Sequence, residues 1–177
     1  IYIPTSFSGN LILIFKTDAS NAIYEYNGET NNIALAFIIA TLPPPADLII
    51  SDITVPNNAT VGETTTIAWT VKNIGPNPTN GSMKDILYLS TDTIWDISDK
   101  KLGEKQDMIS LVSLQSTTRT LNVNMPGVAI GDYYVIVRTD MLNNIYESND
   151  TNNTSFSDET MYVDMEKLQF NVTRQDT

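Results

Sequence analysis

The sequence predicts an all-β protein, an immunoglobulin-like antiparallel β-sandwich of about seven strands in tandem with part of a second sandwich. Three observations predict it. Apolar and polar residues alternate at a period of two over most of the chain, turn-forming residues punctuate these stretches, and the rear part of the pattern occurs twice. No stretch carries the periodicity of an amphipathic helix.

The duplication sets the domain organisation. The segment from Ile1 to Asp18, which runs Ile-Tyr-Ile-Pro4 to Gly9 to Thr17-Asp18, aligns with Val123-Asn-Met-Pro126 to Gly131 to Thr139-Asp140 at a constant offset of 122 residues. Asn21-Ala-Ile-Tyr-Glu25 then matches Asn143-Asn-Ile-Tyr-Glu147, and the extra Gly28 shifts the offset to 121, pairing Asn31-Asn32 with Asn152-Asn153. Residues 1–41 are therefore the rear part of one repeat, 47–165 a complete repeat, and 166–177 either the opening strand of a next repeat or a donor strand. Residues 42–46 join them, and the three prolines Pro43, Pro44 and Pro45 make that linker stiff and extended.

Within the complete repeat the strands follow in order. Leu48, Ile50 and Ile53 open it, and Ile67, Trp69 and Val71 come next, with Thr66, Ala68 and Thr70 facing outward and Trp69 as the core anchor. Ile86 with Tyr88, then Leu121, Val123 and Met125, then Tyr133, Val135 and Val137 continue the alternation as half-buried strands. Turn chemistry separates them at Pro56 to Asn58, Gly75 to Pro78, Asn80-Gly81, Pro126-Gly127 and Gly131-Asp132.

Composition removes whole classes of function. Ten Lys and Arg stand against 21 Asp and Glu, and the resulting charge of −11 repels nucleic acid and anionic headgroups while suiting divalent cations. With no Cys and no His, thiol nucleophiles, thiolate or imidazole zinc sites and imidazole-based triads are excluded. Lys is the sole candidate base for a Ser or Thr, and a period-two strand pattern makes no sugar-sized cleft for a carboxylate pair, so the chain reads as non-enzymatic. The longest apolar runs, Leu11 to Phe15 and Ile33 to Ala40, fall far short of the roughly 20 residues of a membrane-spanning helix. No basic and apolar leader opens the chain, so a signal peptide is either already removed or lies upstream.

The segments Ala46-Asp-Leu-Ile-Ile, Val61-Gly-Glu with Ile67-Ala-Trp-Thr-Val-Lys-Asn-Ile-Gly75, Asp85-Ile-Leu-Tyr-Leu-Ser-Thr-Asp92, Gly131-Asp-Tyr-Tyr, and Glu147 with Asn152-Asn153 together resemble the CARDB family, the cell-adhesion-related domain found in bacteria. The resemblance covers nearly all of 46–165, and its rear half recurs in 1–41. It implies an immunoglobulin-like sandwich, tandem occurrence on secreted or surface proteins of bacteria and archaea, and no catalytic residues. Leu11-Ile12 stands where the second repeat has Tyr133-Tyr134, so a tyrosine-corner hydrogen bond is open to one repeat alone.

Three sets of residues are candidates for function. Asp92, Asp96 and Asp99, with Ser98 between and Gly103-Glu104 beyond, offer hard oxygens for Ca²⁺, although their spacing is not that of an EF-hand; the alternative is an exposed turn whose carboxylates accept backbone N–H bonds. The stretch Glu147 to Asn153 recurs as Glu25 to Asn32 and reads as turn-building before metal-binding. Asn58, Asn80, Asn149, Asn152, Asn153 and Asn171 each begin an Asn-x-Ser/Thr acceptor, expected on loops or strand edges and open to glycosylation in a source that glycosylates its surface proteins.

The last set concerns assembly. Asn32 to Ala40 is apolar on both faces, through Ile33, Leu35, Phe37 and Ile39 on one of them, while Leu168, Phe170 and Val172 alternate in the tail. Two routes complete the open rear repeat: the tail of one copy enters the sheet of the next and propagates a filament, or neighbouring repeats of a longer array supply the missing strands. The leading expectation is an extracellular adhesion or structural protein of a prokaryotic surface, with copies of itself, neighbouring repeats, surface glycans or surface proteins as partners. The rival is a carbohydrate- or calcium-binding accessory module of a larger secreted enzyme.

Overall fold

The computed structural model describes residues 7–28 and 30–166. It contains strands and no helix among them, and it divides into two compact units, Ile1–Pro43 and Pro44–Thr177.

The first unit is a two-stranded antiparallel ribbon of β1 (Gly9–Lys16) and β2 (Ile33–Ala40), paired from Gly9 opposite Ala40 to Lys16 opposite Ile33. The second is a sandwich. One sheet takes β3 (Leu48–Thr54), β5 (Thr64–Asn73) and β8 (Ser116–Asn124) in that spatial order, with β5 central. The other sheet runs from β4 (Asn58–Thr60) through β11 (Met161–Asp164), β9 (Gly131–Arg138) and β6 (Gly81–Ser90) to β7 (Lys100–Ile109), with β10 (Thr154–Phe156) also on β9. Every pairing is antiparallel except β4 with β11.

Nine strands stand in this unit where about seven are expected. The excess is the short β4 and the division of the closing strand into β10 and β11, between which the buried Ser157 stays bonded to β9, its amide donating to the Val135 carbonyl at 2.9 Å and its hydroxyl accepting the Val135 N–H at 3.1 Å. A bulge explains why Leu48, Ile50 and Ile53 break strict alternation. The register against β5 shifts between Ile50 and Asp52, so Leu48 and Ile53 reach the same side although five residues apart.

The core lies between the two sheets. Ile67, Trp69 and Val71 of β5 are fully buried against Leu87 of β6 and Val135 and Val137 of β9, and Val123, Met161 and Val163 belong to the same cluster. On β6 the expected phase is wrong: Met83, Asp85, Leu87 and Leu89 face the core, and Ile86 with Tyr88 lie on the outer face. The strand is apolar on both sides because it is central and its outer face is partly covered, with Tyr88 meeting the Trp95 ring edge-on at 5.8 Å between centroids. Tyr133 makes the corner bond, its hydroxyl donating to the Ala129 carbonyl at 2.9 Å.

Candidate functional site

A buried polar clamp joins the two sheets. The Asp85 carboxylate accepts Trp69 Nε1 at 2.7 Å and the Thr139 hydroxyl at 2.5 Å, and Arg119 of β8 brings its Nε to 2.8 Å from Asp85 and its Nη2 to 3.3 Å from Asp107. Burial pushes the Asp85 carboxyl above the ordinary carboxylate range, opposed by the Thr139 hydroxyl and then by Arg119 and Trp69. Trp69 is thus both the centre of the core and a donor to a buried charge. Beside the clamp, a groove of about 400 Å³ opens between β7 and β8, lined by Lys105, Asp107 and a row of Ser and Thr hydroxyls. The one carboxylate in its lining is Asp107 of the clamp, where glycoside hydrolysis needs a pair.

The acidic loop 91–99 links β6 to β7. Each of its three carboxylates turns back on the loop: Asp92 accepts the Ile94 N–H at 2.8 Å, Asp96 the Ser98 N–H and hydroxyl at 2.6 Å each, and Asp99 the Asp96 N–H at 2.9 Å. The Ser98 hydroxyl, then its amide, holds Asp96 below the ordinary carboxylate range. These are the bonds of an Asx-type turn, and no cluster of three carboxylates converges as a metal cage among the described residues. The loop carries Ile94 and Ile97 exposed and sets the Trp95 ring 3.9 Å from the Arg138 guanidinium on the outer face of β9.

The repeated Glu–Asn stretch proves to be a fastening. Glu147 is buried; its carboxylate accepts the Leu48 N–H at 2.6 Å and Asn153 Nδ2 at 3.1 Å, tying the start of β3 to the loop that follows β9. Burial, with Asp140 and Asp150 nearby, pushes its carboxyl up to about 7 against the pull of those bonds. The Asn-x-Ser/Thr asparagines differ in exposure: Asn58, Asn80 and Asn149 are exposed, Asn152 is half-buried with its amide on Asp47, and Asn153, expected on a loop or strand edge, is buried with its amide committed to Glu147. Asn171, like Leu168, Phe170 and Val172, lies outside the described residues.

Asn73 carries a role that its motif did not disclose. Its Oδ1 accepts the N–H groups of Asp47 and Gly75, and its Nδ2 donates to the carbonyls of Asn77 and Leu111. Every bond an asparagine amide offers is used, locking the linker end of β3 to the end of β5. Gly75 follows because a Cβ there would meet backbone atoms of Ala46 and Asp47 at 2.5 Å.

The β1–β2 ribbon is built to the same plan as the rear of the second unit. Asp18 accepts the N–H groups of Ala22 and Ile23 at 2.8 and 3.0 Å, and Asp140 accepts those of Asn144 and Ile145 at 3.2 and 2.9 Å. Both Asp residues and the aligned Asn21 and Asn143 sit at positive φ, between 38° and 53°, which Asp and Asn tolerate. The aligned Thr17 and Thr139 amides donate to the Asn32 and Asn153 carbonyls. Ile33 and Leu35 are exposed, as are Phe37 and Ile39 at 79% and 75%.

The CARDB family matches residues 45–157, the whole sandwich but for its last strand. The chain belongs to the CARDB family. Among solved structures it is similar to the crystal structure of the CARDB domain of the PF1109 protein from Pyrococcus furiosus in complex with di-metal ions, at 22% identity and a TM-score of 0.50 over 71% of this chain and 100% of that one. The solution structure of that domain matches at 21% identity and a TM-score of 0.48 over 68% of this chain and 97% of the other. A β-glucosidase from Listeria innocua aligns at 15% identity and a TM-score of 0.41 over 73% of this chain and 17% of the enzyme. No curated protein matches the sequence. CARDB is a non-catalytic, immunoglobulin-like module type associated with bacterial surfaces, and no helix among the described residues is long and apolar enough to cross a membrane.

Proposed function

We propose that this CARDB chain is an adhesion or structural unit of an extracellular prokaryotic surface protein, working as a repeat that joins to other repeats and, through them, to surface glycans or proteins. One observation carries the reading: the same ribbon, with the same Asp-capped loop, occurs twice in one chain, the organisation of a tandem array of repeats. Filament growth by strand addition is the form of this reading in which copies of the chain join one another.

Beads coated with the full chain test it. Clustering of coated beads, or their retention on prokaryotic cell envelopes, is expected, and it is lost on removing residues 1–43. Beads that stay dispersed and unretained overturn the reading.

A second reading, a calcium-binding accessory module, draws on the di-metal complex of the Pyrococcus furiosus domain and on the oxygen-rich loop at Asp92, Asp96 and Asp99.

A further inference from the structure

A buried carboxylate without a counter-charge lies just past the end of β9. Asp140 is 4% exposed, accepts the Asn144 N–H on one oxygen and the Ile145 N–H on the other, and pairs with no Lys or Arg among the described residues. Those two bonds offset part of the cost of burying the group, and each oxygen keeps a lone pair. Asp140 lines a pocket of about 190 Å³ together with Asn143, Asp150, Asn153 and Thr154. Asp150 also lacks a Lys or Arg partner among the described residues, and it accepts a long bond of 3.4 Å from Asn143 Nδ2. The Arg138 guanidinium reaches the same lining but lies over the Trp95 ring at 3.9 Å and ion-pairs with neither carboxylate.

A second observation is independent of charge. Asn153 is 8% exposed and its Nδ2 is committed to Glu147, while its Oδ1 is buried with no hydrogen-bond partner among the described residues. A buried amide oxygen left unmet costs free energy, so the pocket calls for a group to meet it. Water would meet the oxygen and leave two carboxylates uncompensated; a cation meets both.

We propose that this pocket binds Ca²⁺ through the Asp140 and Asp150 carboxylates and the Asn153 Oδ1, with water completing a shell of roughly six to eight oxygens. At about 30 Å³ of liquid volume per water, the space admits the ion and several waters. Every protein ligand is a hard oxygen, and one of them stands on an exposed loop residue, Asp150, which suits calcium's adaptable shell better than the near-ideal octahedron of Mg²⁺. The ion links the loop after β9 to the start of β10. That loop also holds the start of β3, through Ser148 and Asn152 on the Asp47 carboxylate and Glu147 on the Leu48 N–H, so calcium stiffens the place where the linker enters the sandwich. The site is separate from the Asp92 loop and does not depend on adhesion.

A CaCl₂ titration of the full chain followed by amide NMR tests it. Saturable shifts at Asn143, Asp150 and Asn153 are expected, the Asn153 side-chain amide included, with a rise in melting temperature that chelator reverses. Asp150→Asn, an exposed change that leaves the Asp140 bonds in place, should weaken binding by at least ~10-fold, because calcium affinity follows the count of ligand charges. Asp96→Asn should leave these shifts as they are. Signals at the three residues that stay fixed in millimolar Ca²⁺, an equal response to Mg²⁺ that marks general screening of an acidic surface, or an Asp150→Asn titration identical to wild type would each overturn the proposal.

Discussion

Trp69 of β5 and Asp85 of β6 are joined across the core by a 2.7 Å hydrogen bond, so one sheet hands an indole proton to a buried carboxylate of the other. Two different losses follow from that bond. Trp69→Ala removes the largest fully buried side chain and should cost about 3–5 kcal/mol. Trp69→Phe keeps most of the packing and strips one donor from Asp85, for about 1–3 kcal/mol. Urea unfolding measures both, and an unchanged midpoint for Trp69→Ala would show that the ring is not the anchor.

Asp85→Ala should be at least as damaging as Trp69→Phe. It leaves Arg119 buried with its nearest counter-charge gone, and breaking a buried pair from one side costs about 3–5 kcal/mol. The double change Asp85→Leu with Arg119→Met is expected to recover much of that loss, because neither charge is then left alone. A double variant no more stable than Asp85→Ala would contradict this account of the clamp.

Glu147 makes stability depend on pH in the direction opposite to most carboxylates. Its folded carboxyl is pushed from 4.5 to about 7, so the folded state holds the proton more tightly than the unfolded chain. The contribution is full below the unfolded value and is lost as pH rises through about 7. Glu147→Gln removes the titration and keeps an oxygen for the Leu48 N–H. The Asn153 Oδ1, which has no partner among the described residues, becomes an acceptor for the new amide once Asn153 turns over. Relative to wild type, the variant is expected to gain stability between pH 4.5 and 8; a constant difference across that window would refute the assignment.

Gly75→Ala should destabilise the sandwich by about 1–3 kcal/mol, because the clash is with backbone of Ala46 and Asp47 and cannot be relieved by a rotamer change. The shift would also disturb the Asp47 N–H bond to Asn73. Thermal unfolding with amide exchange at Asp47 and Leu48 checks both parts, and wild-type behaviour would show that the linker end of β3 is not held there.

Calcium at Asp92, Asp96 and Asp99 must compete with the N–H bonds that close the loop. Binding is therefore expected to move the Ile94, Asp96 and Ser98 amide signals and to raise the melting temperature by mass action. Signals that stay fixed in millimolar Ca²⁺, with a melting curve indifferent to chelator, would leave the loop as a turn.

Alternation and turn residues determined the class of fold, because each is a property of neighbouring positions along the chain. The Asp18 and Asp140 loops fold alike for the same reason, since each carboxylate bonds amides four and five residues on. Trp69 was equally legible in a strand polar on its other face. What the chain could not disclose was the phase of β6: Ile86 and Tyr88 look as fit for a core as Leu87 and Leu89, and Asp85 looks like a surface residue. Arg119 and Trp69, 34 and 16 residues away from Asp85, decide that it is buried. The burial of Asn153 was hidden likewise, for its amide answers to Glu147, whose other oxygen holds Leu48 from the far end of the domain. Such choices depend on which distant polar groups meet in the interior, and only the closed sandwich brings them together.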